Sequence, residues 1–246
     1  MLAAAALRLC VIEALAPTAS IASGTGFPTM AEHHVYDSAQ IGVGDLQEGA
    51  PYTPAISVYT EDTRVERRGP TAPSTIGDAT TDLVVVVELA ERARNEAGAD
   101  ITLANGNIAT DAVINGDAMQ RLELEALSAQ VRALIVRGPA GAPLRRILKA
   151  VASTRIEPFG LPEYGVRFMR NVITFSCEIA DDKFTDEAGL PEPLRSVAAD
   201  LPDGSYAKAQ LAKLALAFSA TSRDALEGFD ITTTANGAPA VPFIPT

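Results

Sequence analysis

Residues 164–182, YGVRFMRNVITFSCEIADD, alternate in character over a length that a long sheet strand explains. Met169, Ile173, Phe175, Cys177 and Ile179 fall on one face, interrupted by Asn171. Arg170, Thr174, Ser176 and Glu178 fall on the other, among Phe168 and Val172. The pattern predicts a half-buried strand. Residues 147–157 offer an antiparallel partner, and Pro158, Gly160 and Pro162 supply turn chemistry between the two, so a long hairpin is expected.

The chain before this hairpin is read the same way. In residues 1–22, Leu7, Val11, Ile12 and Leu15 share a helical face and Pro17 stops the helix. Arg8 and Glu13 interrupt the apolar run, leaving it short of the roughly 20 residues of a membrane span. An amphipathic helix is therefore expected in preference to a secretory signal. Residues 18–53 read as loop, with an edge strand or the start of a turn at 33–37, HHVYD. Residues 54–61, PAISVYTE, form a strand that begins where proline is tolerated. Residues 61–78 combine charges with Gly69, Pro70, Pro73 and Gly77 and predict a projecting loop. The four consecutive valines of DLVVVVELAE, 82–91, predict a buried central strand, because β-branched side chains are stiff in a helix.

Residues 92–116 carry Gly98, Gly106 and Gly116 with three asparagines and read as loop. Residues 117–137 predict the main helix, with Asp117 as N-cap, Gly138-Pro139 as the stop, and Met119, Leu122, Leu127, Val131, Leu134 and Ile135 as the core stripe. Glu123, Gln130 and Arg137 are its solvated edge, and Arg145, Arg146 and Lys149 form a small basic cluster after it. Beyond residue 186 the texture changes. A Gly/Pro linker at 187–193 leads to a helix at 194–201, a Pro202-Asp203-Gly204 turn, and an Ala-rich helix to about residue 228, capped by Ser205. Leu211, Leu214, Ala215 and Phe218 lie on one face of that helix, with Lys208, Lys213 and Arg223 on another. Residues 230–246, with three prolines, read as an extended tail. The expected fold class is α/β: a mixed sheet with an antiparallel hairpin packed by helices in 1–186, plus a helical C-terminal extension in 187–246.

Composition narrows the functions this framework can serve. With 246 residues and 47% hydrophobic positions the chain can bury one good core. Its net charge of −11 opposes binding to a phosphate backbone. Aromatics make up 5% and tryptophan is absent, which leaves few anchors for a small ligand. Cys10 and Cys177 both sit in apolar runs and read as reduced, buried thiols.

Candidate chemistry is sparse. The two histidines, His33 and His34, are adjacent, and in an extended chain would point to opposite sides, a poor metal site and a solvated strand end. Glu61 and Asp62 are neighbouring carboxylates on a segment expected to be exposed. The glycines of 92–116 lack the Gly-Lys-Ser/Thr ending of a phosphate loop. No serine or cysteine has a base at a suggestive spacing, so no catalytic, cofactor-binding or metal residue is assigned.

A family likeness adds what chemistry does not. ALRLCVIEAL, HHVYDS, PAISVYTED, DLVVVVELAERA, LELEALSAQVRALI and ASTRIEPFGLPEYGVRFMRNVITFSCEI occur in that order over residues 2–182. This succession resembles the tail terminator proteins of tailed bacteriophages. The resemblance implies a homo-oligomer, a hexameric ring on the completed tail tube, that stops tube polymerisation and offers the surface to which the head connector joins. It implies the tail tube protein and a head–tail connector or neck protein as partners, and a place in the virion after assembly in the host cytoplasm. DNA would pass through the ring without specific binding, which the acidic balance suits, and no membrane is involved. Residues 61–78 and 92–116 become candidates for subunit or tube contacts. The long 18–53 segment and the C-terminal extension depart from the family pattern, and the extension is open to a sheath, neck or neighbouring-subunit role. A neck or tail-completion protein is the alternative, and a small hydrolase a more distant one.

Overall fold

The computed structural model describes residues 1–67, 77–95, 98–102, 108–138, 142–161, 165–184 and 189–220. The expected loop tip at 68–76, the glycine and asparagines at 105–107, Pro139, Pro162, most of the linker before residue 189, Arg223 and the tail lie outside them, as does the side chain of Phe218. The class is the expected one: helices on a mixed sheet, parallel at one pair of strands and antiparallel elsewhere.

The predicted hairpin is β5 (Leu148–Leu161) and β6 (Val166–Ile179), paired antiparallel, but it is longer than expected: Pro158 and Gly160, assigned to the turn, are paired within it opposite Asn171 and Arg167. All six named positions of the inner face, Met169, Asn171, Ile173, Phe175, Cys177 and Ile179, are buried. The valine strand is β3 (Gly77–Arg92), which lies between β6 and β2 (Thr53–Arg67). A short β1 (Val35–Asp37) runs parallel to β2 at the rim, so the edge-strand alternative for HHVYD is the one adopted. The order across the sheet is β1-β2-β3-β6-β5, with β4 (Thr110–Ala112) paired to the end of β3.

Two segments read as loop are strand. In 61–67 and 77–78 the hairpin of β2 and β3 continues, with Arg64 opposite Thr80 and Arg67 opposite Gly77 after a bulge at Asp62. Glu61 to Glu66 are exposed, so backbone pairing holds this stretch and no apolar alternation announced it. In 92–116, β4 and the isolated bridges Arg94–Asp100, Thr102–Ile108 and Ile114–Phe168 make a β excursion against the ends of β3 and β6.

The helices cover one face. At their centre is α1 (Leu2–Leu15), which touches β1, β2, the main helix α3 (Ala118–Arg137), α4 (Leu144–Ile147), α5 (Leu194–Asp200) and α6 (Tyr206–Ala220). It is buried all round, through Ala3, Ala4, Ala6, Leu7, Leu9, Cys10, Val11, Ile12 and Leu15, and not on one face as expected. Helices on several sides leave no solvent face, and alanines are small enough for each to approach. Its two charged residues are half-buried and have protein partners. Arg8 Nε donates to Asp37 at 2.5 Å, and Glu13 accepts from the backbone and hydroxyl of Thr18 at 2.9 and 2.8 Å, opening α2 (Thr18–Ser23), a short helix at the start of the 18–53 stretch, where the sequence predicts loop. Leu2–Ser23 is long and apolar enough by length and composition to cross a membrane, contrary to the expectation of too short a run, but Pro17 divides it and most of it lies inside the core.

The N-terminus of α1 is capped from the far end of the sheet. Asp182 accepts from Ala3 N at 2.7 Å and Leu2 N at 2.9 Å, closing a contact 180 residues long. Asp182→Ala orphans two helix donors and is expected to lower stability by about 1 kcal/mol, read as a lower denaturant midpoint. An unchanged midpoint would mean that water replaces the cap.

Helix α3 carries the expected Asp117 N-cap, completed by Gln120 as a capping box. Its core stripe is Leu124, Leu127, Ser128, Val131 and Ile135, which corrects the expectation: Met119 and Leu122 are 62% and 59% exposed. The sequence holds two apolar stripes on this helix, and spacing did not separate them. Asn171, the polar break in β6, donates to Ser128 Oγ at 3.0 Å, and Ser128 donates to Leu124 O at 2.7 Å. That bridge sets the seating of α3 on the sheet, since each buried polar atom needs its partner. Arg145 closes the other end, donating to Ile135 O and Gly138 O at 3.0 and 3.3 Å, and Arg146 pairs with Asp200. Leu194, Val197 and Leu201 with Ala207 and Leu211 of α6 join the same core cluster as the sheet.

Candidate assembly interface

Both rims of the sheet are open among the described residues. Beyond Val58, where β1 ends, the outer side of β2 has no paired strand, and Val65 there is 51% exposed. At the opposite rim the 14 residues of β5 have β6 on one side only. Ile156, Phe159 and Leu161 on β5 are exposed apolar residues. Neither rim is a bare template. β5 has three register shifts, Pro158 and the charges Lys149, Arg155 and Glu157, and β2 has its bulge among alternating charges. Such devices discourage indiscriminate pairing while leaving a matched strand admissible.

The β5 rim is anchored by a charge network that the sequence reading did not find. Glu88 and Arg170 are directly opposed on β3 and β6, and Arg170 Nε lies 2.6 Å from the Glu88 carboxylate, whose side chain is 4% exposed. Arg170 also reaches Asp111 of β4 at 3.1 Å and lies over the rings of Phe159 and Phe168 at 5.6 and 6.0 Å. It therefore ties β3, β4, β5 and β6 together at one corner of the sheet. The signal was present, since Glu88 follows four valines in a strand predicted to be buried and demands a cation. The reading of β6 as half-buried placed Arg170 in water instead.

The expected assembly segments do not form one surface among their described residues. Those of 61–78 lie at the β2 rim, and those of 92–116 near the β3–β4 corner, where Arg92 and Arg94 approach Asp100 at 3.4 and 3.8 Å. A loop from residue 38 to 52 covers part of the sheet face away from the helices, with Ile41 against Ala55 and Ala90 and Tyr36 and Leu46 beside them. Burial pushes the Tyr36 hydroxyl's pKa up, with Asp45 beside it adding to the effect. Tyr52 donates to Glu123 at 2.6 Å, and that hydrogen bond holds its pKa up at about 12. Glu123 is thus a tie to α3 and not a purely solvated edge, and Gln130 likewise accepts from Met30 N at 3.0 Å.

His34 is buried and its ring shares a hydrogen bond with Ala31 O at 3.1 Å, which corrects its expected place at a solvated strand end. Burial lowers its pKa, with the neighbouring His33 adding to the shift. The two rings lie 4.1 Å apart rather than on opposite sides, because Glu32 turns the chain with φ 51° and the pair is not in extended strand. Glu61 and Asp62 lie on the β2 bulge, and Asp62 shares a groove with Arg64, Asp82, Ser176 and Glu178. Ser176 donates to Asp82 at 3.0 Å, and neither a histidine nor a lysine stands among the lining residues of this groove to serve as its base. Among the described residues no three His, Cys, Asp or Glu side chains converge on a metal position. Cys10 and Cys177 are buried free thiols, both pushed up to about 12 by burial.

No protein-family model matches this sequence, and no curated protein matches it either.

Proposed function

We propose that this chain is a structural virion protein, a tail terminator whose copies close into a ring on the finished tail tube, stop its growth and present the surface for head joining. The observation that carries the reading is the sheet left open at both rims among the described residues, β2 beyond Val58 at one and β5 at the other. Two different, non-equivalent edges on one sheet suit head-to-tail contact between copies, and contacts of that kind generate rings when the rotation closes. Support also comes from where the similar strings fall. They map in order onto α1, β1, β2, β3, α3 and the β5–β6 hairpin, a connected sheet with its two main helices. The net charge of −11 suits a channel through which DNA slides without sticking.

Electron microscopy of particles with and without the protein tests this. Overlong, headless tails in its absence are the expected result. Normal-length tails without heads would move the assignment to a neck or completion protein, and unaltered particles would overturn both.

A further inference from the structure

The outer side of α3 bears a second apolar stripe. Met119, Leu122, Ala126, Ala129, Ala133 and Val136 follow one another at spacings of three and four residues, the repeat of a helix–helix seam. All six are exposed, Met119 and Leu122 to more than half of their area. At about 100° per residue the stripe points directly away from Leu124, Leu127, Val131 and Ile135, which occupy the core. A helix with one face in the core ordinarily turns polar residues outward. Here the outward face is the side of a seam.

Charge and size along the stripe name the occupant. Glu123 and Glu125 flank its N-terminal half, and Arg132 and Arg137 flank its C-terminal half. Arg121 also stands in the first half, engaged with Glu125 at 2.9 Å. A parallel copy would set Glu beside Glu and Arg beside Arg, whereas an antiparallel copy sets acidic against basic and opposes the helix dipoles favourably. A two-fold axis between Ala126 and Ala129 faces Met119 with Val136, Leu122 with Ala133, and Ala126 with Ala129. The larger side chains then meet smaller ones, and the three alanines let the helices approach to about 8 Å. Complementarity of a surface to itself about one point is what an isologous partner uses.

We infer that α3 pairs antiparallel with α3 of a second copy of this chain, making a two-fold dimer. The pairing leaves the β2 and β5 rims free, so it is separate from the proposed ring contacts. A single helix pair is a small interface, and the dimer is a weak, reversible one.

Sedimentation velocity on the full chain, from low micromolar to submillimolar concentration, tests it. A monomer–dimer equilibrium is expected, weakened at least about tenfold by Leu122→Glu or Ala129→Glu, a loss of ~1.4 kcal/mol. Glu125→Arg and Arg132→Glu should each weaken it, and the double variant should recover most of the affinity because the two side chains face each other across the axis. All four positions are exposed, and an unchanged melting temperature checks that the fold survives. A monomer at every concentration overturns the inference. So does a dimer or hexamer that ignores Leu122→Glu and Ala129→Glu, although such a hexamer would leave the ring proposal standing.

Discussion

Phe175→Asp is expected to abolish the cooperative unfolding transition. Phe175 has no exposed surface and heads the largest fully buried side chains, on β6 opposite Leu83 of β3. Truncating a buried phenylalanine to alanine costs about 3–5 kcal/mol, against a total stability of about 5–15 kcal/mol for a domain. Aspartate adds a charge that cannot be solvated there, since the same face carries Ile173, Cys177 and Ile179 and is covered by helices. Ile173→Asp should behave alike, for the same reason. Glu178→Gln, one position from Cys177 but exposed, should stay within about 0.5 kcal/mol of the native chain. Melting followed by circular dichroism distinguishes the outcomes. An unchanged melting temperature in either aspartate variant would mean that β6 presents its other face to the core.

Arg170→Met should be the most damaging substitution outside the hydrophobic core, costing about 3–5 kcal/mol, because it leaves the Glu88 carboxylate buried without a counter-charge. The loss is not the worth of the ion pair. In the double variant Glu88→Gln with Arg170→Met the stranded charge is gone, and most of the stability should return, since Asp111 is partly exposed and water can serve it. Urea denaturation of the wild type, both single variants and the double variant closes the cycle. Equal losses in Arg170→Met and in the double variant would show that Arg170 acts through its packing over Phe159 and Phe168 instead.

Strong periodicity was a reliable guide where one face of an element meets the core and the other does not. β6 shows it: every position assigned to its inner face is buried, including Asn171, whose partner Ser128 lies 43 residues away and could not be named in advance. The Asp117 cap was legible for a related reason, because capping is decided within one helical turn. The outer part of β2 and the β4 excursion were not legible. Their strands are held by backbone pairing with β3, and backbone hydrogen bonds leave little trace in side-chain character.

The proposed assembly surface was legible only in part. The sequence offers residues 61–78 as a contact candidate, yet as a loop, whereas their described part is the end of β2 and the start of β3. It offers β5 only as half of a hairpin, without regard to the side that has no partner strand among the described residues. An edge is a statement about which strand is missing, and strand order emerges only when the whole sheet is assembled. The Glu88–Arg170 pair shows the same limit from the other side. A glutamate among valines announces that a cation must be near, but the register of β3 against β6 selects which one.

Local and short-period forces therefore specified the α/β class, the strands β3 and β6, the ends of α3 and the burial of two thiols, because alternation, β-branching and capping act between near neighbours in the chain. Long-range contacts decided the rest. Packing on several sides made α1 a buried axis where one apolar face was expected, Asp182 capped it across 180 residues, and the seating of α3 chose one of its two apolar stripes for the core and turned the other outward. Those choices depend on which surfaces meet, and the free energy of burial is realised only when they do.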